Sequence, residues 1–402
     1  MRKLYPFFIL TILILCGCVE EFNYQIDNQN SLLVVEATIT DEFKYQEIKL
    51  SNTYTSNSGN NSFEKNAIVK IIDQNNNAYN FKELDSGKYK SINKFKAKEN
   101  LQYKLSITRA NGKTYSSKQS KLTGVKEMDS IYTEKGKNEF GIDGAFILVD
   151  SYDNTSKSKF YRYEFEETKK IILPNFSNLD LEVVSDVFPY EVRTIPKTYE
   201  DRVCYKQTKS LGIIQTSTTN LSEDRVSKFK LNFLPQDDYF LIYGYSILVK
   251  QYIQSYEAYS YYKTLSKQSS NSNNFSQIQP GYIEGNVFSA TDPNEKVIGF
   301  FEVTSISQKR IFFTYKDLYP NDPYPRFKLD CNLIAPAIAK GHYPESNRSP
   351  LIEAIRQGDY VFYSTNPDYL TSPTQLGPYL MTPKECSDCR TQGSNIKPDF
   401  WQ

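Results

Sequence analysis

The chain has 402 residues, of which 39% are hydrophobic and 14% aromatic, so it can build a sizeable core and is not disordered along its length. Lys and Arg number 48 against 47 Asp and Glu, and this balance gives no electrostatic basis for nucleic-acid binding, which needs a clustered basic excess. The single histidine, His342, excludes any site that needs two histidines, such as an HExxH zinc site.

The N-terminus has the pattern of a secretory signal. Two basic residues precede an apolar run over residues 7–15, which is too short to cross a bilayer as a helix. The run ends in Leu15-Cys16-Gly17-Cys18, which resembles a bacterial lipobox, although Ala or Ser is more usual at the position of Cys16. We predict that residues 1–17 are a lipoprotein signal peptide and that an acylated Cys18 is the lipid anchor in the outer membrane. The alternatives are an uncleaved anchor and a secreted protein with a chance cysteine.

A polar tether follows the anchor over residues 18–30. Its acidic pair, Glu20-Glu21, resembles the signal that sends some Gram-negative lipoproteins to the outside of the outer membrane. The sequence therefore predicts an anchor that faces the exterior. The alternative is a pair of solvated glutamates on a protein that faces the periplasm.

Residues 31–123 have the alternation of β-strands that bury one face. The clearest example is 101–107, which runs into Asn111-Gly112, a strong hairpin signal. Seven short strands are predicted in this part of the chain, at 33–39, 47–50, 67–73, 79–82, 88–92, 101–107 and 113–117. This number of short strands predicts an N-terminal immunoglobulin-like β-sandwich.

Residues 124–402 are predicted to form a larger β-rich domain with one or two short helices. Its predicted strands are 145–150, 160–168, 211–217, 229–234, 240–252, 297–305, 310–315 and 360–363. A helix is predicted over 256–267, where one face is apolar. A second helix is predicted from a Ser349 cap with Pro350 at its first position, and Gly358 ends it.

Four cysteines lie outside the signal, namely Cys204, Cys331, Cys386 and Cys389. In an oxidising compartment an even number of thiols indicates disulfides. A direct 386–389 bond would close a tight ring, so we expect each of these two cysteines to bond back to Cys204 or Cys331 and staple the C-terminal tail to the body. The alternatives are a zinc site made with His342, for which a single CxxC is weak evidence, and a redox-active CxxC.

Catalytic patterns are missing from the sequence. It contains no GxSxG elbow, P-loop or GxGxxG motif. The acidic pairs 166–167 and 237–238 consist of adjacent residues, which point to opposite faces of a strand and do not suit a two-carboxylate glycosidase. We therefore assign no catalytic residue, no metal and no cofactor, and predict that the protein is not an enzyme.

Aromatic residues mark two further candidate features. Tyr315, Tyr319 and Tyr324 lie in a proline-rich loop and are a candidate binding surface for an unidentified ligand; the alternative is packing within the loop. The abundance of tyrosine, with 32 residues, also fits an A/T-rich coding sequence. Phe400 and Trp401 near the C-terminus predict a tail docked on the body, with a partner-recognition peptide as the alternative.

Five stretches of the sequence are distinctive, namely 33–42 (LVVEATITDE), 219–234 (TNLSEDRVSKFKLNFL), 245–268 (YSILVKQYIQSYEAYSYYKTLSKQ), 281–313 (GYIEGNVFSATDPNEKVIGFFEVTSISQKRIFF) and 386–401 (CSDCRTQGSNIKPDFW). Together they resemble an uncharacterised family of bacterial lipoproteins, the domain-of-unknown-function family 4249. The last two are the most specific.

The resemblance implies an outer-membrane lipoprotein of a kind commonly encoded beside a TonB-dependent receptor. It suggests a non-catalytic binding or accessory partner of that transporter in nutrient uptake. The resemblance also implies that the strand from residue 245 runs directly into the helix after Ser255. An adhesin or scaffold and a secreted carboxylate-dependent hydrolase remain alternatives from other functional classes.

Overall fold

The computed structural model describes residues 31–53, 62–124, 127–155, 158–270, 282–339, 349–369 and 376–401. The predicted signal peptide, lipid anchor and tether, together with His342, lie outside these residues. Within them, no helix has both the length and the apolar composition that a bilayer crossing requires.

The described chain is mainly β, which confirms the predicted fold class. The strands are β1 (Leu33–Thr40), β2 (Glu47–Asn52), β3 (Ile68–Asp73), β4 (Ala78–Asp85), β5 (Lys88–Ser91), β6 (Gln102–Thr108), β7 (Thr114–Ser117), β8 (Ser120–Lys121), β9 (Ser130–Lys137), β10 (Asp143–Tyr152), β11 (Phe160–Ile172), β12 (Leu179–Ser185), β13 (Glu191–Pro196), β14 (Val203–Lys209), β15 (Ile214–Ser217), β16 (Arg225–Pro235), β17 (Tyr245–Ile253), β18 (Val287–Ser289), β19 (Val297–Phe313), β20 (Tyr360–Thr365) and β21 (Tyr379–Pro383). The helices are α1 (Tyr256–Ser270), α2 (Tyr315–Leu318) and α3 (Pro350–Gln357), with 3-10 turns η1 (Tyr239–Leu241), η2 (Lys384–Cys386) and η3 (Cys389–Thr391).

The N-terminal region folds as the alternation predicts. All seven strands predicted before residue 123 are present as β1–β7. In β6, Tyr103, Leu105 and Ile107 are buried while Gln102 and Lys104 are exposed, because successive side chains of a strand point to opposite faces. The inward residues of these strands form a single core.

Two strands from late in the chain complete this core. The first half of β19 pairs in parallel with β1, from Leu33 opposite Val297 to Thr40 opposite Thr304, and β18 pairs with β7. The strand at 297–305 was predicted to belong to the second domain, and β18 lies in the predicted range of that domain at a place where no strand was predicted. The N-terminal sandwich therefore includes residues from beyond residue 280.

Strand β19 links the two main parts of the fold. After Thr304 it leaves β1 and pairs antiparallel with β17, so that Ile253 lies opposite Ser305. The prediction of two separate strands over this segment was wrong, because the polar residues around Gln308 and Lys309 are exposed where the strand passes from one core to the other. The result is one 14-stranded sheet that extends through both parts.

The second part has two facing layers. One layer consists of β14, β11, β17 and the second half of β19, and the other is the three-stranded sheet β16-β10-β9. Ile147 and Val149 of β10 and Ile247 and Val249 of β17 are fully buried in a core that the two layers share. A smaller lobe contains the hairpins β12–β13 and β20–β21 with α3.

Both predicted helices are confirmed, as is the direct passage from β17 into α1. At the start of α3 the Ser349 hydroxyl accepts a hydrogen bond from the Ile352 N–H at 3.3 Å, which satisfies a free donor of the first turn. Gly358 ends the helix with φ +75°, a left-handed conformation that glycine adopts without steric cost.

Candidate functional site

Two disulfides staple the C-terminal tail to the body. Cys204 bonds to Cys389 and Cys331 bonds to Cys386, with Cα–Cα distances of 5.5 and 5.8 Å. This confirms that each cysteine of the CxxC pair bonds back to an earlier one. The zinc and redox alternatives fail, because these sulfurs carry no thiolate for a metal and the CxxC cysteines do not bond to each other.

The end of the described tail lies against the second part of the fold. Trp401 is only 9% exposed and packs edge-on against Tyr205 and Phe312, with ring centroids at 5.2 and 5.8 Å. The preceding Phe400 ring lies 3.6 Å from the Arg310 guanidinium, a cation–π contact. The disulfides and these aromatic contacts hold the tail at both ends.

The stapled tail forms one wall of a cleft with a volume of about 470 Å³. The other two walls are the η1 turn and the extended chain after residue 323. We call this space the aromatic cleft; it is lined by Pro235, Asp237, Asp238, Tyr239, Phe240, Phe327, Lys328, Leu329, Glu385 and Gln392. Because Cys331 and Cys386 join two of the walls directly, the cleft depends on the disulfide for its shape.

Aromatic rings give the cleft its apolar surface. Phe327 meets Tyr239 and Phe240 edge-on, with ring centroids at 4.9 and 6.2 Å, an arrangement that aromatic pairs favour. The Tyr239 hydroxyl donates a hydrogen bond to the Ile172 carbonyl at 3.1 Å. Burial raises the pKa of Tyr239, and the nearby Tyr243 adds to this effect, so the ring stays a neutral donor.

The adjacent carboxylates of the cleft are each engaged in a different contact. Asp238 accepts a hydrogen bond from the Phe240 N–H at 3.0 Å and pairs with Lys169 at 2.7 Å. Asp237 pairs with Lys328 at 2.7 Å on the exposed rim. Asp238 therefore caps η1 and Asp237 bridges two walls of the cleft, so both carboxylates help to hold the rings in place.

The other acidic pair is also divided between two environments. Glu166 pairs with Lys250 at 2.8 Å, and although burial alone would raise its pKa, the lysine contact lowers it. Glu167 accepts hydrogen bonds from Tyr245 and Thr208 at 2.8 and 2.7 Å. The two carboxylates therefore have no common ligand.

Two of the three predicted surface tyrosines are not on the surface. Tyr315 and Tyr319 are 2% and 4% exposed, so their assignment as a binding surface was wrong. They lie four residues apart across the single turn of α2, and their rings pack at 5.1 Å within the core between the layers. The alternative of loop packing describes both.

Tyr324 is 53% exposed and lines a hollow beside the aromatic cleft. This hollow, with a volume of about 310 Å³, is also lined by Ile142, Pro323 and Pro325, and it shares Asp237 with the cleft. The rings of the cleft were missed in the sequence because residues 239–240 and 327 are distant in the chain. The only signal was the local aromatic density.

The fold and cleft define a mainly β protein with a disulfide-stapled tail. The family model described as "Domain of unknown function (DUF4249)" matches residues 19–310, so the chain belongs to this family. No curated protein matches the chain. The match ends within β19, so Phe327, Leu329 and the stapled tail lie beyond it.

Proposed function

We propose that the protein is a surface-exposed outer-membrane lipoprotein, anchored through acylated Cys18, that acts without catalysis as a binding or accessory partner of a TonB-dependent transporter in nutrient uptake. The lipobox-like sequence supports the anchor, and the resemblance to outer-membrane lipoproteins supports the partner. The structural observation on which the proposal rests is the aromatic cleft.

The chemistry of the cleft favours non-covalent binding. Aromatic side chains are enriched at protein interfaces, since a Tyr or Phe ring offers a large contact area with little side-chain entropy to lose. Leu329 is exposed in the aromatic cleft and Tyr324 in the hollow beside it, so a partner can cover apolar surface that the fold leaves in water. Such contacts supply affinity without any reactive group.

The staples favour the same function. A wall that is already fixed before binding does not lose conformational entropy when the partner arrives. Cys331–Cys386 and Cys204–Cys389 fix the tail wall in this way. The lipid anchor would then confine the protein to the plane of the transporter and raise the effective concentration of the two partners.

The test is recovery of a barrel partner from detergent-solubilised outer membrane with an antibody against the protein. We expect the wild type to recover a large barrel protein and the double variant Tyr324→Ala/Leu329→Ser to recover several-fold less. Leu211→Ser changes another exposed leucine, away from the cleft, and should recover the wild-type amount. Failure to recover any barrel under mild conditions would remove the proposal, and equal recovery by the double variant would remove the cleft from it.

The anchor has a separate test. Mass spectrometry of the native protein should find a diacylglyceryl group on Cys18 and no residues before it. Externally added protease should cut the protein on intact cells if the anchor faces the exterior. An unmodified Cys18 thiol in protein from the cytoplasm would contradict the lipoprotein assignment.

A further inference from the structure

A second open cleft lies where α1 begins, beside the start of β11 and the edge strand β15. Its volume is about 670 Å³. It is lined by Phe160, Gln215, Thr216, Ser217, Thr219, Asn220, Tyr256, Tyr259 and Lys263. None of these residues belongs to the aromatic cleft, so the two sites can be tested independently.

One side of this second cleft is a platform of three rings, Phe160, Tyr256 and Tyr259, which we call the tyrosine platform. Tyr256 and Tyr259 are three residues apart and so share one face of α1. The Phe160 ring lies 5.6 Å from Tyr256 and 4.8 Å from Tyr259, measured between centroids. Tyr256 is 65% exposed, so the outer part of the platform is open to a ligand.

The opposite side supplies neutral hydrogen-bonding groups. The Ser217 and Thr219 hydroxyls bond to each other at 2.8 Å, and the Gln215 amide donates to the Tyr259 carbonyl at 3.3 Å, which joins β15 to α1. Within the described part of the chain, the hydroxyls of Tyr256, Tyr259 and Thr216 and the amide of Asn220 make no hydrogen bond to the protein. The fold therefore leaves these groups for water or a ligand.

Charge narrows the choice of ligand. Of the residues that line this cleft, only Lys263 is charged at neutral pH, and its ammonium lies 5.4 Å from the centre of the Tyr259 ring. None of the described residues that line the cleft is a carboxylate, so none of them would pair with a cationic ligand. A single exposed ammonium is weak support for an anion, because exposed ion pairs contribute little.

We infer that the tyrosine platform binds a neutral glycan. A sugar ring presents an apolar C–H face that stacks on an aromatic ring and hydroxyl edges that both donate and accept hydrogen bonds, and this cleft offers partners for both. Its volume lies within the roughly 300–1,000 Å³ of ligand sites, and its open form admits a chain of sugar units. This inference does not depend on a transporter partner.

The test is isothermal titration calorimetry of the full-length lipidated protein, kept in a detergent without a sugar headgroup. The probes are neutral oligosaccharides of glucose, mannose, galactose and N-acetylglucosamine, with an oligogalacturonate as the anionic comparison. We expect saturable binding of at least one neutral oligosaccharide, a loss of at least tenfold in affinity for Tyr256→Ala, and a smaller loss for Asn220→Ala. Tyr45→Ala, which removes an exposed tyrosine that lines neither cleft, should bind like the wild type.

Thermal unfolding of each variant shows whether the fold is kept. Because Tyr256 is 65% exposed, we expect Tyr256→Ala to keep the wild-type fold. The inference is overturned if no neutral oligosaccharide binds, if Tyr256→Ala binds unchanged, or if only the oligogalacturonate binds. Binding of an unrelated extended peptide in place of every oligosaccharide would also overturn it. Recovery of a barrel partner is unaffected by any of these outcomes, so the proposed function can fail or succeed separately.

Discussion

The side-chain amide of Asn286 makes both hydrogen bonds that a neighbouring strand would make to Phe301. Its Nδ2 donates to the Phe301 carbonyl at 2.8 Å, and its Oδ1 accepts from the Phe301 N–H at 2.7 Å. Asn286 directly precedes β18, whereas Phe301 lies in the half of β19 that pairs with β1. This one side chain therefore joins the two ends of the N-terminal sandwich.

We predict that Asn286→Ala destabilises the protein by about 1–3 kcal/mol, because the buried Phe301 N–H loses its partner. The Phe301 carbonyl keeps a hydrogen bond from the Ser120 hydroxyl at 3.2 Å. Urea unfolding followed by circular dichroism measures the loss. Asn294→Ala, at an exposed position nearby, is the control and should unfold like the wild type. An Asn286→Ala protein as stable as the control would show that the sandwich closes without this residue.

The disulfide between Cys204 and Cys389 should be worth about 2–5 kcal/mol, since it restricts the unfolded chain over 185 residues. The variant Cys204→Ser/Cys389→Ser should lose this amount in guanidinium unfolding. The chain has one tryptophan, and Trp401 lies in the stapled tail, so its fluorescence reports on the tail directly. A red shift of its emission at low denaturant is expected in the variant, and an unchanged emission and midpoint would contradict the role of the staple.

Gly244 should tolerate no side chain. Its φ is +136°, and a Cβ there would lie 3.0 Å from the Trp401 ring. We expect Gly244→Ala to lose about 1–3 kcal/mol from backbone strain, plus the cost of displacing the ring. Gly212→Ala has φ +76° and open space around it, so it adds a Cβ at a positive φ without any ring contact and with less backbone strain than at Gly244. If the two variants show equal stability and equal Trp401 fluorescence, the proposed contact with the ring is absent.

Arg162 and Glu302 form a buried pair near the junction of the two main parts, with N–O at 3.4 Å. Burial raises the pKa of Glu302, and Arg162 opposes this shift. Arg162→Met should cost about 3–5 kcal/mol, because it leaves Glu302 buried without its cation. Arg162→Met/Glu302→Gln should recover part of this loss. Arg193→Met removes an exposed pair with Glu182 and should change stability by about 1 kcal/mol or less.

Urea titration at pH 7 measures the free energy of unfolding of the wild type and of the three variants Arg162→Met, Arg162→Met/Glu302→Gln and Arg193→Met. A double variant less stable than Arg162→Met would contradict the proposed cause of the loss. So would an Arg162→Met protein that is no less stable than Arg193→Met.

Asp153 should make stability depend on acid pH. Burial alone would raise its pKa, but hydrogen bonds from Thr155 and Ser158 outweigh burial and lower the pKa to about 2, from an ordinary 3.8. A carboxyl with a depressed folded-state pKa stabilises the fold above its unfolded pKa, and this contribution is lost as the pH falls from about 4 toward 2. The contribution is about 2 kcal/mol.

Urea unfolding between pH 2 and 7 should therefore show a shallower pH dependence for Asp153→Asn than for the wild type. Asp399→Asn, at an exposed position, serves as the control. Parallel curves for the wild type and Asp153→Asn would show that Asp153 does not titrate in this way.

Local patterns predicted the local structure well. The strands β1–β7 alternate strongly, and Ser349, Pro350 and Gly358 mark the ends of α3 by their backbone chemistry. The strands β8, β9, β12, β13, β14, β18 and β21 were missed. The strands β8 and β18 have two and three residues, which is too short to show a period. The others have irregular burial patterns, and several outward positions carry apolar residues such as Val184. A strand of that kind has no clear period of two.

The candidate sites were predicted less well, for a different reason. The cysteines could be assigned because few pairings are open to four thiols. Tyr315 and Tyr319 were placed on the surface because the sequence of a proline-rich segment does not distinguish exposed aromatic residues from buried ones. Their burial depends on the layer that packs over α2, and this layer comes from residues far along the chain.

The sequence by itself determined the mainly β class, the caps of α3 and the pairing rule of the four cysteines, because each depends on the chemistry of neighbouring residues or on a small number of combinations. Only the tertiary structure decided that β19 joins both cores, that Asn286 reaches Phe301, and that residues 239, 327 and 385 surround one cleft. An alternating strand specifies which of its faces is buried but leaves its neighbour open. The neighbour is chosen by the packing of the whole chain.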